Sequence, residues 1–175
     1  MRNLLITGVS KGLGLEISKK ALNAGYKVFG LSRSKTDDLS SLLEENKDTF
    51  FWKSVDLGNE DLDVQNEIFE KFIGKEGISG FINNAAFAYD DIVTNLDEDR
   101  LQNMYKVNVF SPMMITKYAI RNMLLNKIKG SIVHISSISV HTGYKGLAMY
   151  ASTKGALEAF SKNTAREWGD MGIRS

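Results

Sequence analysis

The chain has 175 residues and a mass of 19.5 kDa, the size of a single domain with a substantial hydrophobic core. Its formal net charge is +1, so no overall electrostatic attraction argues for nucleic acid or an anionic membrane as a partner. The absence of cysteine excludes disulfides and thiolate metal sites in this sequence, favours a cytoplasmic location, and leaves us with no predicted metal site. No apolar run approaches the ~20 residues that a membrane-spanning helix needs, and the first residues are too short an apolar run for a secretory signal.

Short apolar runs alternate with helical patterns from the first residues to the last. We predict strands at residues 4–6, 27–31, 50–55, 80–82 and 131–135. Amphipathic spacing predicts helices at residues 13–24, 38–46, 62–73, 96–126 and 150–171, with Pro112 expected to break or kink the longest of them. Continuously apolar strands separated by helices predict an α/β fold, in which a parallel sheet is covered on both faces.

A glycine-rich turn lies where the first strand passes to the first helix. Glycines at such a junction allow a tight turn and a close approach of the backbone to a pyrophosphate, which rests on the amides of the helix N-terminus. A P-loop is excluded, because the fifth residue after Gly8 is Leu13 and no Lys-Ser/Thr pair follows. A turn without function remains the alternative. The residues that we predict to bind a nucleotide cofactor here are Thr7, Gly8, Ser10, Lys11, Gly12, Leu13 and Gly14.

The end of the second strand indicates which nucleotide this site would accept. An NAD site usually has an acidic residue there, about 20 residues after the glycines, to bind the ribose 2′-hydroxyl. This chain has Ser32 and Arg33 instead. The Arg33 guanidinium could bind a 2′-phosphate through two hydrogen bonds, with Lys11 as a second cation nearby. The pair favours NADP(H) over NAD, the alternative being two solvated surface cations.

Tyr150 and Lys154 lie one helical turn apart, and Ser137 precedes the tyrosine by 13 residues. Residues i and i+4 share a helix face, so the Lys154 ammonium can lie near the Tyr150 hydroxyl. A phenol has a pKa of ~10 in water, and we expect the neighbouring cation to lower the pKa of Tyr150 toward neutrality. The Ser137 hydroxyl could then bind the oxygen that gains or loses the proton. The spacing alone is weak evidence, since chance also produces Tyr-x-x-x-Lys.

Together these features resemble the single-domain branch of the short-chain dehydrogenase/reductase family. The remaining matches are Asp56 and Leu57, similar to an adenine-contacting pair; Asn83, Asn84, Ala85 and Ala86, similar to its Asn-Asn-Ala-Gly segment; and Asn108, where the family has an asparagine that supports a water relay. The resemblance spans residues 1–175 as one NADP-binding domain with a doubly wound, Rossmann-like sheet. It implies that Ser137, Tyr150, Lys154 and Asn108 are catalytic. It further implies that Asp56, Leu57, Asn84, Ala85, Tyr150 and Lys154 contact the cofactor.

Two departures from the family pattern stand out. Ala86 replaces a glycine, which we expect to be tolerated because alanine fits most backbone conformations except positive φ. The sequence ends at residues 172–175, where the family continues into a sixth strand, a segment near the nicotinamide and a loop-helix over the substrate. We expect that region to follow Ser175 in the full protein, so that the present sheet lacks its C-terminal strands; a shortened chain is the alternative.

The resemblance implies an oxidoreductase that transfers hydride between NADP(H) and a small carbonyl or alcohol substrate. The alternative is a regulatory protein that binds NADP(H) without chemistry. A homodimer or homotetramer is expected, paired through the helices at residues 96–126 and 150–171. Of the two histidines, we expect His134 to be packed or hydrogen-bonded rather than a metal ligand. His141 could line the substrate entrance.

Overall fold

The computed structural model describes residues 2–175 and has a five-stranded sheet at its centre. The strands are β1 (Arg2–Thr7), β2 (Tyr26–Ser32), β3 (Phe50–Ser54), β4 (Gly80–Asn83) and β5 (Ser131–His134). They pair in parallel in the order β3-β2-β1-β4-β5. The direction of winding therefore reverses between β1 and β4, the point at which doubly wound sheets form a ligand crevice outside their carboxyl ends. The predicted parallel, doubly wound α/β fold is confirmed.

Helices cover both faces of this sheet, as predicted. Two of them, α1 (Gly12–Asn23) and α2 (Asp37–Glu45), contribute to the apolar core on one face. The π-helix Gln65–Ile73 and α4 (Ser111–Leu125) contribute to the core on the other. The remaining elements are a 3₁₀ turn (Val93–Asn95), α3 (Glu98–Tyr105), a π-helical stretch (Lys106–Phe110), α5 (Ser139–Thr142), α6 (Ala148–Trp168) and a second 3₁₀ turn (Gly169–Met171).

Neighbouring residues of β1 serve the two cores in turn, because side chains alternate across a strand. Leu5 packs on the face that also contains Phe81, whereas Ile6 packs on the opposite face with Val28. These four side chains are fully buried, and each such burial contributes roughly 1.5–3 kcal/mol. This two-sided burial explains why the strand is apolar throughout, and it holds the residues that follow β1 and β4 at fixed positions.

The helix predicted at residues 62–73 begins at Gln65 and is a π-helix, whose turns are wider than those of an α-helix. Asn59 and Asp63 use their side-chain carboxamide and carboxylate oxygens to accept the backbone N–H groups of Asp61 and Asn66. The Asn59 contact forms a turn, whereas the Asp63 contact joins residues three apart as a helix cap does, so the regular helix begins at Gln65 rather than at residue 62. Its π-helical form is not readable from the apolar spacing.

The long helix predicted at residues 96–126 consists of three segments. Asp97 caps α3 by accepting the backbone N–H of Arg100 at 2.8 Å, which sets the start at Glu98. The backbone stays helical through Pro112, so the predicted break does not occur there. The irregularity is the π-helical stretch Lys106–Phe110 just before the proline, because a proline lacks the N–H that a regular α-helix would need at that position.

Two further features bear on the sequence predictions. Residues near Arg174 run beside β5, where Ile132 donates its backbone N–H to the Arg174 carbonyl at 2.7 Å. Phe110 and Met114 are 53% and 42% exposed on the helices expected to pair with a second copy; the pairing itself stays a prediction.

Among residues 2–175, no helix combines the length and apolarity needed to cross a membrane.

Candidate active site

Two positions of the glycine turn after β1, Gly8 and Gly14, have no room for a side chain. Gly8 has a φ of +75° and donates its N–H to the Leu31 carbonyl at 2.7 Å. A methyl group on Gly8 would lie 2.7 Å from Asn84 Nδ2, and one on Gly14 would overlap the Gly8 carbonyl oxygen. Both glycines are therefore required for close packing of strand, turn and helix.

The open side of the same turn suits an anion. Gly12 has a φ of +58°, and an added Cβ there would meet no atom within 4 Å. Lys11 precedes α1 without capping it by a side-chain hydrogen bond, and the first turn of α1 has no acidic residue. The first N–H groups of an uncapped helix are free to bind a phosphate, which the helix dipole also favours. Leu13, in this turn, is 54% exposed beside them.

Thr7 and Asn84 join the turn to the end of β4. The Thr7 hydroxyl oxygen accepts the backbone N–H groups of Asn84 and Ala85 at 3.1 and 3.0 Å. The Asn84 amide donates to the carbonyls of Thr7 and Gly8 at 3.0 and 3.2 Å. Thr7 is fully buried, so its hydroxyl supports the turn from inside.

A cavity of about 510 Å³ lies at the carboxyl edge of the sheet, where the winding reverses. Ala86 and Phe87 continue its wall beyond β4. Lys127 is the only non-glycine residue with positive φ between residues 2 and 175, so Ala86 has an ordinary backbone, as its tolerance requires. The predicted cofactor residues that line the cavity are Gly8, Ser10, Lys11, Ser32, Arg33, Asp56, Leu57, Asn84 and Ala85.

The Arg33 turn is held by side chains on the neighbouring strand. The Ser32 hydroxyl accepts from Trp52 Nε1 at 2.8 Å and donates to the Ser34 carbonyl at 2.9 Å, and the Ser54 hydroxyl donates to the Arg33 carbonyl at 2.8 Å. The Arg33 side chain is exposed and faces the cavity. Trp52 and Ser54 are supports that the sequence analysis missed; they are the β3 partners of Gly30 and Ser32, a pairing that only the register reveals.

Asp56 and Leu57, which follow β3, line the same cavity. One Asp56 carboxylate oxygen accepts the Gly58 N–H at 2.9 Å, which forms a tight turn after β3. The Leu57 carbonyl accepts from the Ser111 hydroxyl at 2.6 Å, so this turn is attached to the start of α4. Asp56 itself is exposed and lines the cavity.

Tyr150 and Lys154 lie together on α6, as predicted. The Lys154 ammonium is 5.7 Å from the centre of the Tyr150 ring, and Lys154 is only 1% exposed. Its Nζ donates to the Ile135 carbonyl at 2.8 Å, two residues before Ser137. Lys154 thereby connects the helix that carries Tyr150 to the segment that carries Ser137.

The expected lowering of the Tyr150 pKa is wrong, because the shift has the opposite sign. Burial raises the pKa of Tyr150, and burial also lowers the pKa of Lys154 to about 8. Desolvation is the cause of both shifts, and the Lys154 ammonium is directed at the Ile135 carbonyl. Tyr150 is therefore a neutral phenol at physiological pH.

The low Lys154 pKa predicts how stability depends on pH. Unfolded lysine stays protonated to about pH 10.5 and folded Lys154 only to about pH 8, so the unfolded chain binds more protons between these values. Relative to Lys154→Met, the wild-type free energy of unfolding should therefore rise across that window, by on the order of 3 kcal/mol. Urea unfolding at intervals from pH 7 to 10.5 measures the difference, and a difference independent of pH would contradict the prediction.

Asn108 lies inside the π-helical stretch and is fully buried. Its amide donates to the Phe87 carbonyl at 2.7 Å and to the Thr153 hydroxyl at 3.1 Å, and its side-chain oxygen accepts the Phe87 N–H at 2.8 Å. The side chain thus joins the cavity wall to α6 and has no N–H left for a water relay. In an α-helix the backbone carbonyl of Asn108 would accept the N–H of residue 112, but Pro112 has none. The water relay that we predicted therefore suits this carbonyl and not the side chain.

The segment after β5 is tied to α6 by Glu158, a residue that the sequence analysis missed. Glu158 accepts from the Ser136 hydroxyl at 2.6 Å and pairs with His141 Nε2 at 3.2 Å. The Ser136 hydrogen bond holds the pKa of Glu158 below its usual value, so the carboxylate is ionised. A signal existed in the sequence, since Glu158 lies one turn after Lys154 on the same helix face.

The two histidines differ in their surroundings. His134 packs edge-on against Phe81 and Phe160, and its Nδ1 is 3.2 Å from the Asn83 amide, which confirms the prediction of a packed, hydrogen-bonded residue. Burial lowers the pKa of His134 to about 4, so the ring is neutral. His141 is largely exposed, and its pairing with Glu158 places it beside the Ser137 segment.

The crevice at a winding reversal, with a glycine turn and an uncapped helix at its floor, defines a nucleotide-binding protein of the doubly wound class. A family model described as short chain dehydrogenase matches residues 2–175. The chain is 30% identical to an L-xylulose reductase of Caenorhabditis elegans over 99% of its length and 68% of that protein. It is 32% identical to carbonyl reductase [NADPH] 2 of Sus scrofa over 97% of its length and 67% of the relative. The chain belongs to the short-chain dehydrogenase/reductase family.

Solved structures agree with this assignment. ElxO with NADP bound is similar at a TM-score of 0.85 and 28% identity, over 98% of this chain and 70% of that one. 4-Hydroxyisoleucine dehydrogenase complexed with NADH is similar at a TM-score of 0.87 and 25% identity, over 99% of this chain and 72% of that one. The family therefore includes proteins bound to either nicotinamide cofactor, and this chain spans about two thirds of the length of its relatives.

Proposed function

We propose that this protein is an NADP(H)-dependent reductase that converts a small carbonyl compound to an alcohol, with Tyr150 as the proton donor. The observation that carries the proposal is the position of Lys154. A lysine is almost never fully buried without a reason, and this one lies beside Tyr150 and bonds the segment that leads to Ser137. Lys154 thereby links the helix that carries the proposed proton donor to the segment that follows the carboxyl end of β5.

The residues around the cavity fit a dinucleotide. The turn at Gly8 and Gly14 admits no side chain, and the open face at Gly12 leaves room for a pyrophosphate against the first N–H groups of α1. Asp56, Leu57, Asn84 and Ala85 would surround the adenosine and the linking ribose, and Lys154 would hold the ribose of the nicotinamide. When bound, the nicotinamide supplies the hydride.

Tyr150 would protonate the substrate oxygen during reduction. A phenol whose pKa is raised by burial keeps its proton at neutral pH, so Tyr150 carries the proton that a donor must have. Ser137 would donate a hydrogen bond to the same oxygen and stabilise the charge that develops there. Once deprotonated, the same side chain would accept the proton in the reverse reaction, the oxidation of an alcohol.

The proton that Tyr150 gives up must be replaced from solvent. The Lys154 ammonium uses one of its three hydrogens on Ile135, and the others can bind water. The Asn108 carbonyl, which receives no N–H from Pro112, suits the next water in such a chain. Asn108 would thus contribute its backbone, while its side chain holds Phe87 and Thr153 in place.

Arg33 and Lys11 support NADP(H) as the preferred cofactor. Both are exposed cations on the wall of the same cavity, and the turn that carries Arg33 is fixed by Ser54 and Ser32. A guanidinium fits a phosphate by two parallel hydrogen bonds, whereas an NAD site would present a carboxylate to the 2′-hydroxyl.

The test is oxidation of NADPH by the purified full-length protein, followed as the loss of absorbance of the reduced nicotinamide. The substrates are a panel of simple ketones, acyl-thioesters and sugars, with L-xylulose included because a relative is an L-xylulose reductase. We expect turnover with at least one carbonyl compound. NADPH binding without turnover of any member would contradict the proposal and favour a cofactor-binding regulatory protein.

A further inference from the structure

Ser139 makes a contact with Ser137 that the proposed chemistry does not require of it. It is the first residue of α5 and only 4% exposed. Its hydroxyl donates to Ser137 Oγ at 2.9 Å, and its backbone N–H donates to the same oxygen at 3.2 Å. Between residues 2 and 175, this is the only side-chain hydrogen bond that the Ser139 hydroxyl makes.

The two contacts differ in what they indicate. A serine oxygen that accepts the N–H of the residue two positions later is a common local turn and does not by itself indicate a function. The hydroxyl contact is different, because Ser139 buries a polar group whose only partner is the residue proposed to bind the substrate oxygen. Because Ser139 is buried, solvent water does not supply the Ser139 hydroxyl with another partner.

These contacts determine how the Ser137 hydroxyl can act. A hydroxyl oxygen has two acceptor positions and one hydrogen. With both acceptor positions filled by Ser139, the Ser137 hydroxyl can only donate its own hydrogen, which leaves the substrate oxygen as the partner. Hydrogen bonds in such a chain also polarise one another, so Ser137 becomes a stronger donor.

We infer that Ser139 is a positioning residue of the proposed reaction, which acts by holding the Ser137 hydroxyl as a donor to the substrate oxygen. The inference rests on the proposed function. It predicts that Ser139 affects the chemical step through Ser137 alone and leaves cofactor binding unchanged.

A double-mutant cycle in the full-length protein tests this, with NADPH and the panel carbonyl that gives the highest turnover. We expect Ser139→Ala to lower kcat about tenfold, the usual effect of one hydrogen bond, with the KM for the carbonyl and the Kd for NADPH within about twofold of wild type. In a Ser137→Ala background, Ser139→Ala should cause no further loss. Thr142→Ala is the control, since Thr142 is on the same short helix but donates only to the Ile138 carbonyl.

Each other outcome has a definite meaning. If Ser137→Ala is slow but Ser139→Ala matches wild type, the inference is wrong and the proposed function stands. An equal loss from Ser139→Ala in both backgrounds, or an equal loss from Thr142→Ala, would show a general effect on the segment and also overturn the inference. Full activity of Ser137→Ala, or no turnover by the wild type, would contradict the proposed function itself.

Discussion

Replacing Tyr150 with phenylalanine is expected to lower turnover by about 10³-fold, because a positioned acid typically contributes 10²–10⁴-fold. The fold should be unaffected. The phenol oxygen makes no hydrogen bond within residues 2–175, so its removal leaves no partner unsatisfied, and the ring would keep its packing beside Met149 and Met104. NADPH affinity should stay within a few-fold, since the ammonium of Lys154 is retained.

The measurement is steady-state NADPH oxidation together with the NADPH Kd from fluorescence. Tyr118→Phe is a matched control, because Tyr118 packs against Phe69 on the far core and should have no effect on rate. Near-normal turnover of Tyr150→Phe would remove Tyr150 from the mechanism. A rate loss accompanied by an equal loss of NADPH affinity would assign it a binding role instead.

Replacing Arg33 with glutamine is expected to weaken NADPH binding by roughly 10- to 100-fold, since a hydrogen bond to a charged group contributes about 1.5–3 kcal/mol. NADH lacks the 2′-phosphate, so its affinity should change little. Arg33 is the position to change first. Ser32 is 7% exposed and its hydroxyl is already bonded on both sides, so Ser32→Asp would bury a charge.

The comparison needs the Kd of each cofactor for the wild type, Arg33→Gln and a control. Lys35→Gln is suitable, because Lys35 is exposed next to this turn and lies over the Trp52 ring, outside the cavity wall. Equal losses of NADPH and NADH affinity would mean that Arg33 supports the turn rather than the 2′-phosphate. Unchanged affinities for both cofactors in Arg33→Gln would place the 2′-phosphate elsewhere.

The features that local patterns encode were predictable. The strand positions followed from apolar runs, and the contact of Tyr150 with Lys154 followed from helical spacing. The glycine turn was also readable from its spacing, although the atoms that exclude a side chain at Gly8 belong to Asn84 and Ala85, far along the chain. Helix starts were less accurate where a side chain such as Asp97 decides the first residue.

What the sequence could not reveal depends on burial and on partners distant in the chain. The sign of the Tyr150 pKa shift follows from desolvation, which spacing does not report. The support of Ser32 by Trp52 requires the register of two strands. The contact of Ser139 with Ser137 requires the start of α5, a helix too short to have a readable apolar period.

The most direct test of the central claim is the fate of a deuterium label carried at C4 of NADPH. With the best carbonyl of the panel, we predict that the wild type places the deuterium on the carbinol carbon of the product alcohol, and that Tyr150→Phe forms labelled alcohol about 10³-fold more slowly. Alcohol without deuterium from either nicotinamide face, or labelled alcohol formed at the same rate by both proteins, would contradict the account.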